Sequence, residues 1–385
     1  MVTRAWLLAA PGWWGYPHHS AVTGDVRLYA HWGALLGHGV FPLHDSSWQY
    51  PPGAGALLAL PELTPLRYYP AFVTLALLAD GLVTLVLLRV GARSGSAAGA
   101  WLWIVGTTAL GPIVLNRFDS VPTLLAVAGL AIPARPFLAG ALLGAGAAVK
   151  VWPALMLPVT TNRVRAVAGA VTVGLVGLAS LAVTGRLGAG LDFLHNQQAR
   201  GLQVETLAAT PYVLARAFGA PGIRVVREFG AYQVHGPGVS LVVTVTTVAG
   251  AVVVLGYLAL AWRRPGATGL GLAGLLAVLV TARVLSPQYL VWVLGVAAVV
   301  HSDPRTRQRL TAWLLVLACA LTQWLYPIWY VGLVHGAVGS ALLLAGRNAV
   351  LLAACAVALR DGLGLRDGLR DGLPAYGMTR PIDTK

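Results

Sequence analysis

The chain has 385 residues, of which 57% are hydrophobic and only 10% are charged. A soluble globular domain carries about 25% charged residues, so this composition excludes a soluble enzyme and fits a multi-pass membrane protein. The formal net charge of +14 would suggest a nucleic-acid partner in a soluble protein. Most of the arginines stand instead in short stretches between apolar runs, where the positive-inside rule explains them. We therefore expect no nucleic-acid partner.

Apolar runs of membrane-spanning length predict an all-α, polytopic fold with about twelve transmembrane helices. The first run, residues 5–16, is short for a span, and we interpret it as the remainder of a truncated first helix. The other predicted spans are residues 66–90, 96–115, 120–133, 137–149, 152–161, 166–184, 239–262, 266–285, 290–300, 310–326 and 332–359. With this count the basic turns share one side of the membrane, which the positive-inside rule makes cytoplasmic.

Residues 1–360 are predicted to form a single membrane domain that two polar segments interrupt. These segments are a first outward loop at 17–65 and a long outward loop at 185–237. Residues 361–385 contain repeats of Arg-Asp-Gly-Leu and are predicted to be a low-complexity cytoplasmic tail. The polar chemistry of the chain is thus expected to collect on the non-cytoplasmic face.

Asp25 stands at the start of an amphipathic run in the first outward loop, in which Val26, Tyr29 and Gly33 recur at helical spacing. One interpretation is that its carboxylate caps the N-terminus of a helix lying on the membrane. The other is that it acts as a general base, because a carboxylate beside an apolar surface can accept a proton from an attacking hydroxyl. The residue pattern taken alone favours the cap.

Four further charged residues stand on the same predicted side of the membrane. Arg117 and Asp119 occupy a turn between two apolar runs and form either a local ion pair or part of a cavity wall, since ionisable groups at membrane depth are often functional. Lys150 ends the small-residue run before Val151-Trp152-Pro153 and either snorkels to the interface or binds a phosphate. Arg283 is a second phosphate candidate.

The long outward loop is dense in side-chain hydrogen-bond donors and acceptors, among them Arg200, Gln203 and Glu205. Such groups can bind sugar hydroxyls, although a solvated surface helix would have the same composition. His335 follows an aromatic cluster that forms either an interfacial belt or a stacking wall for a sugar or prenyl chain. The cluster consists of Trp324, Tyr326, Trp329 and Tyr330.

Several short motifs together resemble the family-87 GT-C glycosyltransferases, which are actinobacterial membrane mannosyltransferases that use polyprenyl-phosphate-mannose. The resemblance runs from about residue 20 to residue 335. The motifs are Asp25-x3-Tyr29, Gly39-Val40-Phe41-Pro42, Tyr50-Pro51-Pro52, Arg117-Phe118-Asp119, Gly140-x3-Gly144, Lys150-x2-Pro153, Arg200-Gly201-Leu202-Gln203-x-Glu205 and Ser286-Pro287-Gln288-Tyr289-x2-Trp292.

The resemblance implies an inverting transfer of a hexose from a polyprenyl-phosphate-sugar donor to a lipid or glycan acceptor, on the non-cytoplasmic face of the cell membrane. It implies Asp25 as the base and Lys150 and Arg117, more weakly Arg283, as phosphate-binding cations. It also implies no metal and no cofactor besides the lipid-linked sugar, and it allows His335 near the base. The remaining predicted substrate contacts are Tyr50, Asp119, Arg200, Gln203, Glu205, Gln288 and Tyr289.

A polytopic transporter or lipid flippase is the alternative, since it would also have many spans and charges within the membrane. Such a protein is expected to show internal repeats and polar residues near the bilayer midplane. The sequence has no convincing repeated halves, and its polar residues collect at one predicted face, which favours the enzyme.

Overall fold

The computed structural model describes residues 2–10, 19–42, 45 and 47–364. The end of the first predicted span and the tail beyond residue 364 lie outside the described residues. The chain is mostly helical. In chain order the elements are α1 Val2–Ala9, α2 His19–Gly37, α3 Gly53–Ala59, α4 Tyr68–Ser94, α5 Ala98–Leu110, α6 Ser120–Leu130, α7 Pro136–Val149, α8 Arg163–Val183, α9 Ala189–Gln198, β1 Leu202–Gln203, α10 Thr210–Ala217, β2 Arg224–Glu228, β3 Ala231–His235, α11 Val239–Trp262, α12 Thr268–Thr281, α13 Tyr289–His301, α14 Arg309–Gln323, α15 Tyr330–His335 and α16 Val338–Gly362.

Five helices in the described part of the chain are long and apolar enough to cross a membrane. They are α4, α8, α11, α16, and α14 with its irregular continuation to Ile328. Shorter apolar helices, such as α5, α6, α7, α12 and α13, stand between them. The chain is therefore a multi-pass membrane protein, while the number of twelve spans stays a prediction.

One predicted span has a different local structure. Residues 152–161 were expected to form a membrane helix, but the structure has a 3-10 helix at Trp152–Val159. Eight residues at a rise of about 2 Å each extend roughly 16 Å, about half of a hydrocarbon core. Trp152, Met156 and Val159 of this segment are buried in protein, which is where irregular backbone at membrane depth is tolerated.

The all-α prediction holds for most of the chain and is wrong for part of the long loop at 185–237. There β1, β2 and β3 form an antiparallel sheet in the order β1-β3-β2. Val225 pairs with Val234 between β2 and β3, and the two-residue turn consists of Phe229 and Gly230. Both turn residues have positive φ, 51° and 72°, as a type I′ turn requires. Runs of five residues are too short to stand out against the apolar background.

Helix α13 lies at the centre of the core, and its side chains are buried on nearly every face, as expected of a helix that is hydrophobic all round. A Cβ on Gly106 of α5 would lie 2.5 Å from Leu294, and one on Gly295 would lie 2.3 Å from Thr123 of α6. These glycines let the neighbouring helices approach α13 closely. The N-terminus of α13 is thereby held in place, and Tyr289 begins there.

Helices α7 and α8 approach each other closely along small residues, in the manner of membrane helices. A Cβ on Gly140 would lie 1.8 Å from the carbonyl oxygen of Ala166, and one on Gly144 would lie 2.7 Å from Cα of Ala170. Both contacts are with backbone, which cannot rotate away. Helix α7 ends at Lys150, so this packing also fixes the position of that lysine.

We expect Gly140→Val to lower the stability of the protein by about 1–3 kcal/mol, because its side chain must push α7 and α8 apart. The measurement is thermal unfolding of the purified protein in detergent. Gly174→Val is the matched control, since Gly174 of α8 has no atom within 4 Å of an added Cβ. Equal melting temperatures for the two variants would contradict the tight α7–α8 contact.

Candidate active site

Nine of the twelve predicted site residues line one cavity of about 680 Å³. A cavity of this size is ordinary for a small-molecule site. Its walls come from α2, the segments around Gln49 and Arg117, the end of α7, the 197–205 segment, the β2–β3 hairpin and the residues that precede α13. The nine are Asp25, Tyr50, Arg117, Lys150, Arg200, Gln203, Glu205, Gln288 and Tyr289.

Asp25 lies within α2, and its carboxylate faces the cavity. The helix begins at His19, so Asp25 stands in the second turn and the N-cap interpretation is wrong. Val22, Val26 and Tyr29 are buried and attach α2 to the protein, at the helical spacing that the sequence predicted. The Asp25 side chain remains 43% exposed, so its carboxylate is accessible to a ligand.

Arg117 is the partner of Asp25. Its Nε lies 2.9 Å from Oδ2 of Asp25, and its side chain is only 3% exposed. Nη1 donates hydrogen bonds to the carbonyl oxygens of Val22 and Asn116, both at 2.8 Å, and Nη2 donates to the hydroxyl of Tyr326 at 3.3 Å. Burial opposes the charge, but Asp25 and the neighbouring tyrosines together outweigh it and raise the pKa of Arg117. The guanidinium therefore stays charged and fixes Asp25.

Lys150 is bound by a carboxylate behind the cavity wall. Its Nζ lies 2.6 Å from Oδ1 of Asp119, which also accepts a hydrogen bond from Nε1 of Trp292 at 2.5 Å. Burial lowers the pKa of the Lys150 ammonium, and the adjacent Asp119 opposes that shift. The ammonium also lies 4.6 Å from the ring centroid of Phe118 and 5.3 Å from that of Tyr50, within the range of cation–π attraction.

Glu205 contributes a second carboxylate to the cavity. Its Oε1 accepts a hydrogen bond from the hydroxyl of Tyr330 at 3.2 Å, and Arg347 lies 3.8 Å from its Oε2. Oε2 has no hydrogen-bond partner. Burial raises the pKa of Glu205 to about 7, with Arg347 and Tyr330 opposing the shift. The group is therefore divided between its neutral and charged forms near neutral pH.

Gln203 is positioned by a backbone hydrogen bond, and Tyr289 and Tyr50 are positioned by contacts with aromatic rings. Oε1 of Gln203 accepts a hydrogen bond from the amide of Leu285 at 3.0 Å, which ties the 200–205 segment to the residues before α13. Tyr289 stacks on Trp292 with ring centroids 3.9 Å apart. Tyr50 packs edge-on against Phe118 at 4.9 Å. These contacts hold the side chains in defined orientations around the cavity.

Three predicted site residues do not line the cavity. Asp119 is 1% exposed and lies behind Lys150. Arg283 donates to the carbonyl oxygens of Gln197 and Gln198 at 2.9 and 3.2 Å, and so closes the end of α9. His335 lies in the last turn of α15, where Nδ1 is 2.8 Å from the carbonyl oxygen of Val331.

The structure divides the aromatic cluster between the cavity and the surface, and it adds Arg227 and Tyr232, which the sequence did not indicate, to the cavity lining. Tyr326 and Tyr330 face the cavity, whereas their neighbours Trp324 and Trp329 are 61% and 46% exposed. Two members of the aromatic cluster thus line the cavity and two are exposed, while its role as a belt or a stacking wall stays a prediction. Arg227 and Tyr232 reach the cavity from the β2–β3 hairpin.

The hairpin tip is held over the cavity by the first polar segment. Nε2 of Gln49 donates a hydrogen bond to the carbonyl oxygen of Phe229 at 2.9 Å. Positive φ at a residue other than glycine costs about 1 kcal/mol or more, and this hydrogen bond helps to offset that cost. The sequence signal for this hairpin is weak, because Tyr-Gln-Val-His alternates between apolar and polar residues whereas Arg-Val-Val-Arg-Glu does not.

The cavity has a positive charge balance. Its lining contains five cations and two carboxylates, counted over the described residues. Arg27 and Arg227 stand exposed at the rim, and the other cations are buried. A concave site with excess charge of one sign concentrates ligands of the other sign. The geometry therefore suits an anionic ligand that presents a hydroxyl or a leaving group near Asp25.

We expect the free energy of unfolding to fall as the pH rises from about 4.5 to about 7, because the pKa of Glu205 rises from 4.5 to about 7 on folding. The folded chain binds more protons than the unfolded chain in this range. Glu205→Gln removes this contribution, so its stability should depend less on pH than that of the wild type. Thermal unfolding between pH 4.5 and 8, with Asp303→Asn as the control carboxylate, measures the difference. Identical pH profiles for wild type and Glu205→Gln would contradict the raised pKa.

Comparison with known proteins assigns the chain to a family. The model of glycosyltransferase family 87 matches residues 48–287, which is more than half of the chain. Arg117, Lys150, Arg200 and Glu205 lie inside the match, and Asp25 precedes it. No curated protein and no solved structure matches the chain. The chain belongs to glycosyltransferase family 87.

Proposed function

We propose that the chain transfers a hexose, mannose in our prediction, from a polyprenyl-phosphate-sugar donor to a hydroxyl group of a lipid or glycan acceptor. The observation that carries the proposal is the composition of the cavity. Its lining holds the half-exposed carboxylate of Asp25, which forms an ion pair with the buried Arg117, together with an excess of cations. Family membership supports glycosyl transfer and argues against a transporter or flippase. No metal and no cofactor besides the lipid-linked donor is part of the proposal.

The proposed chemical step uses Asp25 as the base. The acceptor oxygen attacks C1 of the sugar while its proton passes to the Asp25 carboxylate. The bond between C1 and the phosphate oxygen breaks, and polyprenyl phosphate leaves with the electron pair. Attack opposite to the leaving group inverts the anomeric centre. Arg117 acts as a positioning residue, because its contact with Oδ2 of Asp25 leaves the other carboxylate oxygen to accept the proton.

The cations of the cavity suit the charge that this step creates. The donor phosphodiester has one negative charge, and the departing phosphomonoester gains a second one. Preplaced cations in a partly dry site stabilise such developing charge without reorganising. Arg117, Lys150 and Arg200 are buried cations of the cavity lining and supply this field. Asp119 already balances the charge of Lys150 at 2.6 Å, so Lys150 contributes less to this field than Arg200 does.

The sugar is proposed to contact the wall formed by Gln203, Glu205, Tyr326 and Tyr330. The tyrosine rings pack against each other at right angles with centroids 4.9 Å apart, and they offer an aromatic surface to a sugar ring. Oε2 of Glu205, which has no hydrogen-bond partner, can accept a hydrogen bond from a sugar hydroxyl. A buried acceptor left unpaired is costly, so a hydroxyl that pairs with it gains affinity.

The proposed active site is on the non-cytoplasmic face of the cell membrane. Tyr289 at the start of α13 lines the cavity, whereas the basic turn that contains Arg305 and Arg309 follows the end of the same helix. Thirteen residues of α13 separate the two by roughly 20 Å. Arg93 and Arg263 likewise stand at the C-terminal ends of α4 and α11. The positive-inside rule assigns such ends to the cytoplasm.

We expect Asp25→Asn to reduce sugar transfer by on the order of 10²-fold or more, because an amide cannot accept the acceptor's proton. The measurement is transfer of radiolabel from polyprenyl-phosphate-mannose in membranes, with the lipid products identified. The variant should be made and inserted normally, since the partly exposed side chain keeps an oxygen that Arg117 can contact. Asp303→Asn, on an exposed carboxylate beyond the end of α13, is the control. Near-full turnover by Asp25→Asn would remove Asp25 as the base.

A further inference from the structure

The cations of the cavity differ in whether a carboxylate already neutralises them. Arg117 is paired with Asp25 at 2.9 Å, and Lys150 is paired with Asp119 at 2.6 Å. Lys150 is also surrounded by aromatic rings, with the centroids of Trp292 and Tyr289 at 5.3 and 5.8 Å. The charge of each residue is therefore balanced before any ligand arrives. A further anion gains less from a cation that already has a counter-charge.

Arg200 is a buried cation of the cavity without such a counter-charge. It is 6% exposed and lines the cavity. No ion pair joins it to a carboxylate in the part of the chain that the structure describes. Its Nε is buried and has no hydrogen-bond partner. The group with which it interacts is the neutral hydroxyl of Tyr289.

A second positive charge, Arg283, lies near Arg200 and adds to the excess of positive charge there. Arg283 lies near enough that burial and the like charge of Arg200 lower the pKa of its guanidinium. Arg283 is itself directed to the carbonyl oxygens of Gln197 and Gln198, which are not formal charges. Arg200 in the cavity lining and Arg283 outside it are thus neighbouring guanidinium groups, and the structure pairs neither with a carboxylate among the described residues.

An unpaired buried charge is expensive, since it loses hydration without gaining a partner. A site that keeps such a charge facing a cavity is suited to an anion that enters it. Guanidinium groups bind phosphate oxygens through two parallel hydrogen bonds, and the Nε of Arg200, which has no partner in the structure, can supply one of the two donors. A phosphate group is the anion that best matches these donors.

We propose that Arg200 is the binding residue for the phosphate group of the lipid-linked donor, with the Tyr289 hydroxyl beside it, and that Lys150 has a mainly structural role. The inference rests on the proposed function, which supplies a lipid phosphate as the ligand. It reassigns the phosphate site from the cations that the family resemblance implied. The leaving phosphomonoester has more charge than the donor, so Arg200 binds the product at least as strongly as the donor.

The test compares two probes of the same chain length, farnesyl phosphate and farnesol, on the purified full-length protein in detergent. The preference for the phosphate, measured as the ratio of the two dissociation constants, isolates the contribution of the phosphate group. We expect Arg200→Gln to reduce this ratio by about 10- to 100-fold, the value of a charge-assisted contact. Arg200→Lys should retain part of the preference, because it keeps the charge and loses the paired donors.

The control variant is Arg264→Gln. Arg264 is exposed and donates to the carbonyl oxygen of Leu363, after the end of α11 and away from the cavity. The preference of the Arg264→Gln variant for farnesyl phosphate over farnesol should equal that of the wild type. A similar loss in Arg264→Gln would mean that net charge alone explains the preference, and it would overturn the assignment of Arg200.

Melting temperatures measured without ligand separate a binding role from a structural role. Removing a buried charge that has no carboxylate partner breaks no ion pair, and glutamine can still contact the Tyr289 hydroxyl, so Arg200→Gln should melt no lower than the wild type. The ligand-induced rise in melting temperature with farnesyl phosphate should decrease in this variant. A large fall in the melting temperature of ligand-free Arg200→Gln would show that Arg200 is structural and would overturn the inference.

The outcomes also distinguish this inference from the proposed function. If the wild type does not prefer farnesyl phosphate to farnesol, a lipid-phosphate donor is not supported and both fail. If the wild type has the preference and Arg200→Gln keeps it, only the assignment of Arg200 fails. Loss of the preference in Arg200→Gln, with Arg264→Gln unchanged, supports both.

Discussion

The ion pair between Arg117 and Asp25 is the interaction on which the arrangement of the candidate site depends. Arg117 is buried, and a buried guanidinium must be surrounded by acceptors because it has lost its hydration. Its acceptors are Asp25, the carbonyl oxygens of Val22 and Asn116, and the hydroxyl of Tyr326. Segments that are far apart in the chain therefore meet at one side chain, and the carboxylate of Asp25 is held facing the cavity.

The other buried charges also need partners because they have lost their hydration, and most of them find these partners nearby. Lys150 and Asp119 neutralise each other behind the cavity wall. Glu205 is bordered by Arg347 and Tyr330, and its carbonyl oxygen accepts from Arg347 at 2.9 Å. Charges that support the structure are thus paired locally. Arg200, a buried charge without a carboxylate partner among the described residues, lines the cavity, which is why we regard the cavity as the place where an anion binds.

Helix packing determines how precisely these groups are held. Gly53 at the start of α3 approaches the carbonyl oxygen of Ala148, where an added Cβ would lie at 2.5 Å. Ala148 stands two residues before Lys150, so this contact positions the lysine relative to the first polar segment. Membrane helices gain association energy from such close backbone contacts between small residues. The same contacts leave little freedom for the residues at the helix ends.

The family match and the site geometry cover overlapping parts of the chain. Residues 48–287 contain Glu205 and the buried cations of the cavity lining, whereas α2 and the tyrosines after α14 lie outside the match. The proposed base thus comes from a segment before the matched region, and one aromatic wall comes from a segment after it. The cavity exists only when the three parts are folded together. Its chemistry can therefore not be assigned from the matched region alone.

The sequence by itself determined the membrane class, the mostly helical fold, the family resemblance and most of the side chains that line the cavity. Composition and hydrophobic period carry these properties because they are local or additive along the chain. Only the tertiary structure decided that Asp119, Arg283 and His335 stand outside the cavity lining, that Tyr326 and Tyr330 face inward, and that the long loop contains a sheet. These features depend on which distant groups a buried charge or a short strand pairs with. The spacing of residues in one sequence does not specify such pairs.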